Sequence, residues 1–247
     1  MSEIALYRNI STGKLPIKNY EALKGAMPAV MLYDATDKAP FESAFNFTIA
    51  DYKRFPLLSD TKMKFFFEET MKWTQLNPTQ RQLWFNAGYC VLLYFMKNPD
   101  HDFYWSIEYD CWFNGMWKDF FELYKNDKSD FLGPLLKDTT NTESKLEKAK
   151  LIRNFDYPKI YNSFGCIHRY SNRLLKEVIK ALKEKHYAFY ETLFPTVAAN
   201  SNMSVRDLND IPKEPVYTDS SLLRASTTTY QLIHFAGGAN KLWHRVR

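Results

Sequence analysis

The sequence predicts an α/β chain, one mixed sheet flanked by helices in a single domain over 1–247. Three observations lead there. Two short apolar runs near the start, Ile4 to Arg8 and Ala29 to Tyr33, each end in polar residues and have a helical candidate between them. A third run, Phe103 to Ile107, delivers Glu108-Tyr109-Asp110. Apolar residues then recur at helical spacing, at Leu83, Ala87, Val91, Tyr94 and Phe95 and again at Leu174, Leu175, Val178, Ile179 and Leu182. Strands alternating with such patterns imply helices packed on the faces of a sheet.

In chain order, the first strand over Ile4 to Arg8 is broken by the polar, glycine-containing stretch Asn9 to Gly13. A short helix over Asn19 to Met27 leads to the second strand, which ends at Asp34. Residues 41–80 are mixed, with Pro56 and Pro78 as breakers and a helical candidate from Lys62 to Lys72. One helix is predicted from Thr79 to Met96, stopped by Asn98-Pro99-Asp100, and it feeds the strand Phe103 to Ile107. Trp117 to Tyr124 reads as a helix after Gly115, and Asp130 to Leu136 as a strand. Residues 138–150 read as an exposed excursion carrying a Lys- and Glu-rich helix. Phe164 to His168 is a predicted strand and Ser171 to Lys185 an amphipathic helix, with Tyr187 to Ala199 following. The last 35 residues, with Pro212, Pro215 and Gly237-Gly238, read as irregular with short strands.

Composition bounds the function. A chain of 247 residues that is 45% hydrophobic can bury a sizeable core. Its 16 Tyr, 19 Phe and 6 Trp can fill that core or stack on bases and sugars. A net charge of +5 favours an anionic ligand, yet the basic residues are scattered among 28 acids, which argues for a phosphate-bearing substrate and against a nucleic-acid partner. Three widely spaced cysteines, Cys90, Cys111 and Cys166, suit a reducing compartment. The N-terminus reads as lacking a signal peptide, and no apolar run approaches the roughly 18 to 20 residues that cross a bilayer. A cytoplasmic location is expected, with peripheral membrane attachment left open.

Glu108 and Asp110 at a strand end can hold a divalent cation against a diphosphate, because alternation puts both carboxylates on the same side of an extended chain. Mg2+ or Mn2+ there acts as a Lewis acid on a leaving group. The competing reading is an acidic pair facing solvent.

The segment Phe103 to Phe121 resembles the acidic-motif region of GT-A-fold glycosyltransferases, which have a Rossmann-like mixed sheet. It is most similar to a group with a Trp-x-x-Glu-Tyr-Asp-x-x-Phe-x-Gly-x-Trp pattern, carried here by Trp105, Glu108, Tyr109, Asp110, Phe113, Gly115 and Trp117. Trp84 to Tyr89 resembles the Asn-Ala helix start under the nucleotide. Phe164 to Arg173 and Phe189 to Thr196 follow in the family's order, and Leu242-Trp243-His244 resembles its late His. The resemblance covers most of the chain, is strongest from 84 to 196, and is weak before residue 30.

It implies a nucleoside diphosphate sugar as donor, a glycan or glycoconjugate hydroxyl as acceptor, and Mn2+ or Mg2+ as cofactor. Asp110 would be the direct metal ligand and His244 a further one. The family's motif usually begins with Asp, so Glu108 is left to the ribose or to the metal's surroundings. Glu191, in the apolar setting Tyr187 to Phe194, resembles the base of inverting members, and such surroundings raise a carboxylate's pKa. The structural alternative is a helix-start Glu stabilised by the dipole, with Asp207 and Asp210 as fallback bases. From the residues themselves, Ser11, Thr12 and Gly13 can approach a diphosphate through backbone N–H groups, Asp34 can accept from base or ribose, and Arg81 and Asn86 can reach phosphate and ribose. Trp84, Trp112 and Trp117 read as core before they read as sugar platforms. Two other functions fit the same features: a noncatalytic carbohydrate- or nucleotide-binding protein of this fold, and a sugar nucleotidyltransferase.

Overall fold

A computed structural model describes residues 1–9, 13–57, 77–113, 115–142, 151–153, 155–211 and 242–244; Trp84, Trp112, 151–153 and 242–244 are described by backbone alone. Strand β1 (Glu3–Asn9) is buried on both faces from Ile4 onward, as a central strand must be. Helix α1 (Lys14–Ala26) follows, then β2 (Ala29–Asp34), parallel to β1 with Ala5 opposite Ala29 and Asn9 opposite Tyr33. β3 (Phe45–Phe47) extends the sheet in parallel, and the short α2 (Ile49–Tyr52) starts at a Thr48–Asp51 capping box. α3 (Pro78–Phe85) and α4 (Tyr89–Lys97) lead to β4 (Phe103–Glu108), which lies parallel to β1 with Arg8 opposite Glu108.

Then come β5 (Cys111–Phe113), α5 (Trp117–Tyr124), β6 (Phe131–Gly133), β7 (Lys137–Asp138), β8 (Leu151–Arg153), β9 (Tyr161–Asn162), β10 (Ile167–Ser171) and α6 (Asn172–Lys183). The described chain closes with β11 (Tyr187–Ala188), α7 (Tyr190–Asn200), β12 (Val205–Asp207), a 3-10 turn (Leu208–Asp210) and β13 (Leu242–His244). The main sheet runs β12-β6-β10-β4-β1-β2-β3. β10 is antiparallel to both of its neighbours, and the other pairings are parallel. This is the expected mixed α/β sheet flanked by helices.

Side-chain alternation divides the core in two. One face presents Ile4, Leu6, Leu32, Tyr104 and Tyr170 to α4, α6 and α7. The other presents Ala5, Tyr7, Met31, Trp105 and Ile107 to α1 and α5, where Trp105 packs edge-on against Phe120, Phe121 and Tyr124. Parallel pairing collects the C-terminal ends of β1, β2, β4, β6 and β12 on one edge of the sheet, and the start of antiparallel β10 joins them there.

Several boundaries differ from expectation, each for a local reason. α1 starts at Lys14, not Asn19, because Gly13 supplies the N-cap and a proline at position 16 is tolerated in a first turn. The helix expected from Thr79 to Met96 is two helices, interrupted at Asn86–Gly88, where a Cβ on Gly88 would lie 2.9 Å from the Phe194 ring. The strand expected through Leu136 stops at Gly133, since Pro134 has no N–H and Leu135 turns to φ 52. β10 begins at Ile167, not Phe164, and α6 is capped by the Ser171 hydroxyl accepting from the Leu174 N–H. The helical candidates at Lys62 to Lys72 and within 143–150 lie outside the described residues, as does the stretch 212–241.

Candidate functional site at the carboxyl edge of the sheet

Strand alternation turns Arg8 and Glu108 toward the α4 and α7 face, where Arg8 is buried and Glu108 partly so. Arg8 Nη2 lies 3.4 Å from Glu108 Oε1, and the guanidinium sits 5.2 Å over the Tyr190 ring. Nη2 also donates to the Gly165 carbonyl. Burial works against the Arg8 charge, but Glu108 overrides it and holds the group well above the usual arginine value. The Tyr190 hydroxyl is 3.4 Å from Glu108 Oε1 and 3.5 Å from the Gly165 carbonyl. Burial, then the Glu108 charge, pushes that phenol up. Glycine at 165 is required by this packing: a Cβ there would lie 2.0 Å from the Tyr190 hydroxyl.

The other side of the Gly165 peptide serves Glu191. The Gly165 N–H donates to Glu191 Oε1 at 2.8 Å, and the Glu191 carbonyl accepts from the Ser163 N–H at 3.0 Å. Glu191 stands in the first turn of α7, half-buried, which also fits the helix-dipole alternative. Behind it His168 is fully buried, its Nδ1 2.8 Å from the Tyr170 hydroxyl. Burial, then Arg8, pulls its pKa down to about 3, so it is neutral.

Asp110 occupies a different setting. The chain turns at Tyr109–Asp110, so the alternation that would align its carboxylate with Glu108 ends with β4. Asp110 is buried, and its charge bears on the Tyr7 phenol and, together with that of Glu108, on the Cys111 thiol. The turn is braced from below: the Tyr7 hydroxyl is 2.9 Å from the Tyr109 carbonyl, Asn19 Nδ2 donates to the Cys111 carbonyl at 2.9 Å, and Trp117 Nε1 donates to Asn19 Oδ1 at 3.0 Å. Trp117 is therefore core rather than a sugar platform.

The β13 strand pairs antiparallel with β5, and His244 lies opposite Cys111, one residue from Asp110. A hard divalent cation takes one or two protein ligands and completes its shell with substrate phosphates, and carboxylate and imidazole are donor types it accepts. Among the described residues no cluster of three His, Cys, Asp or Glu side chains is formed.

The remaining candidates are scattered. Ser11 and Thr12 lie outside the described residues, while Gly13 is the exposed N-cap of α1 and its carbonyl accepts from Ile17 N–H. Asp34 Oδ1 accepts from the Thr36 N–H and hydroxyl at 3.0 and 2.6 Å, which ties it to its own turn. Asn86 is buried and donates to the Gln82 carbonyl, ending α3, and Arg81 is half-buried on that helix. Asp207 accepts from the Leu136 and Asn209 N–H groups, so backbone already engages both carboxylate oxygens of the fallback base; the Asp210 carbonyl accepts from Arg206. Sequence reasoning missed Arg8, Tyr190 and Gly165. The available signal was a charge at an inward strand position level with Leu6 and Ile4, which demands a buried counter-ion.

No protein-family model matches the chain, and no curated protein sequence is similar to it. Solved structures with some similarity include a glycosyltransferase involved in the glycosylation of the major capsid of PBCV-1, at 10% identity and a TM-score of 0.33 over 73% of this chain and 66% of that one. This chain thus spans just under two thirds of that protein. A197 from STIV is 13% identical, with a TM-score of 0.33 over 84% of this chain and 81% of that one. HddC from Yersinia pseudotuberculosis is 10% identical, with a TM-score of 0.32 over 71% and 79%. Likeness at this level carries no argument about function, and the site stands on its own geometry. Among the described residues no helix is long and apolar enough to cross a membrane.

Proposed function

We propose that the chain is a glycosyltransferase that moves a sugar from a nucleoside diphosphate sugar to a hydroxyl of a glycan acceptor, with inversion. Asp110 and His244 hold Mn2+ or Mg2+, which neutralises charge on the departing diphosphate. Glu191 takes the proton of the acceptor hydroxyl. The donor lies along the edge where β1, β2 and β4 end, the usual ligand position in an open α/β sheet. Asp34 at the end of β2 and Gly13 at the start of α1 stand at that edge.

The observation that carries this reading is the β5–β13 pairing. It joins a histidine from the far end of the sequence to the acidic turn after the central strand, across more than a hundred residues. A hydrophobic core alone does not call for a histidine-bearing strand to pair beside an acidic turn.

Calorimetry of a nucleoside diphosphate with and without Mn2+ tests it. Affinity should depend on the ion and fall on the order of 10- to 100-fold in Asp110→Asn and His244→Ala, the scale on which disturbing a metal's surroundings acts. Equal affinity with ion and with chelator would remove the metal site from the account.

A further inference from the structure

We propose that Arg8 is the positioning residue of this edge, holding the base Glu191 through the backbone of Gly165 while it holds Glu108 by charge. The inference rests on the reading of Glu191 as the base. The path is short and continuous. Arg8 pairs with Glu108 at 3.4 Å and donates to the Gly165 carbonyl, and the Gly165 N–H donates to Glu191 at 2.8 Å. The Gly165 carbonyl belongs to the peptide plane shared with Cys166 and its N–H to the one shared with Phe164. Both neighbours are pinned, the Phe164 N–H donating to the Pro134 carbonyl and the Cys166 carbonyl accepting from the Glu108 N–H, so fixing the Gly165 carbonyl leaves its N–H little freedom. Tyr190 closes the arrangement, with its ring under the guanidinium and its hydroxyl within 3.5 Å of both Glu108 and the Gly165 carbonyl. The residues come from β1, β4, the approach to β10 and the start of α7, elements that share no local sequence.

A guanidinium suits this task because Nη2 reaches both the Glu108 carboxylate and the Gly165 carbonyl while the flat face lies over the Tyr190 ring. Arg8 is 7% exposed and Nε and Nη1 find no hydrogen-bond partner among the described residues, so burial has been accepted here for the sake of what Nη2 does. A residue kept only to close the core would be apolar, like Leu6 on the same face.

Arg8→Lys keeps the charge and loses the flat guanidinium and its Nη2. Phe164-Gly165 is the one Phe-Gly step in the sequence, so labelling Phe carbonyls with 13C and Gly nitrogens with 15N isolates the Gly165 amide resonance. The proposal expects that resonance to move in Arg8→Lys in the same direction as in Glu191→Gln. It also expects donor affinity to stay near wild type while turnover falls on the order of 10- to 100-fold, the effect of misplacing a catalytic group by about 1 Å. An unmoved resonance, turnover that stays at the wild-type level, or outright loss of the fold in Arg8→Lys would overturn it. If wild-type protein itself releases no nucleoside diphosphate from any donor, the glycosyltransferase reading falls instead. The Gly165 resonance still decides whether Arg8 holds Glu191.

Discussion

Glu108 ends β4, and Asp110 stands two residues on, in the turn. Glu108 is the counter-ion of a buried arginine, so Glu108→Gln should lower stability by about 3 kcal/mol, because breaking a buried pair strands the other charge. Thermal unfolding of Glu108→Gln beside the double variant Arg8→Met, Glu108→Leu checks this: the double variant should recover much of the loss, since an apolar pair strands nothing. His168 makes a pH prediction. Its folded pKa of about 3 lies below the ordinary 6.5, so between those values the unfolded chain binds the extra proton. Stability is full above pH 6.5 and declines as pH falls toward 3, by about 2 kcal/mol between pH 7 and pH 5. Unfolding curves across that range should lose this slope in His168→Gln; an unchanged slope would move the proton uptake elsewhere. At this scale the sequence made the carboxylates legible and left their partners hidden. Arg8 and Gly165 are ordinary in a one-dimensional reading, and only the β1–β4 register and the approach to β10 bring them together.

The elements that carry the site were legible where periodicity was strong. β1, β2, β4, α5 and α6 fall close to their expected spans because a short continuous apolar run or a 3.6-residue stripe marks them. The errors sit where tertiary contacts override local pattern: Gly88 against Phe194, Gly165 under Tyr190, and the corner at Pro134 and Leu135. The acidic turn depends on such a contact too. Asn19, from α1, donates to the Cys111 carbonyl and accepts from Trp117 of α5, so it locks two helices to the turn that bears Asp110. Asn19→Ala should cost about 2 kcal/mol by leaving buried polar groups unpaired. It should also weaken Mn2+-dependent nucleotide binding, whereas Glu21→Ala, exposed on the same helix, should change neither. Thermal shift with and without Mn2+ and nucleoside diphosphate separates the two effects.

At the scale of the whole molecule, the α/β class was readable because strands and helices alternate and because polar residues cluster where the first strands end. The sheet order was not. Placing β10 antiparallel between β4 and β6, and β13 beside β5, requires pairings between segments far apart in sequence, which no local pattern specifies. Those two placements bring the approach to β10, where Gly165 meets Glu191, and the backbone of His244, opposite Cys111, to the side of the sheet where β4 ends. The direct test of that edge is nucleoside diphosphate release from a panel of nucleotide sugars with Mn2+ and a hydroxyl acceptor, in wild type, Asp110→Asn and Glu191→Gln. The account expects Mn2+-dependent nucleoside diphosphate release in wild type. It expects loss of both binding and release in Asp110→Asn, and release on the order of 100- to 10,000-fold slower in Glu191→Gln with donor affinity kept. Pyrophosphate in place of nucleoside diphosphate, or donor binding without any release across the panel, would contradict it.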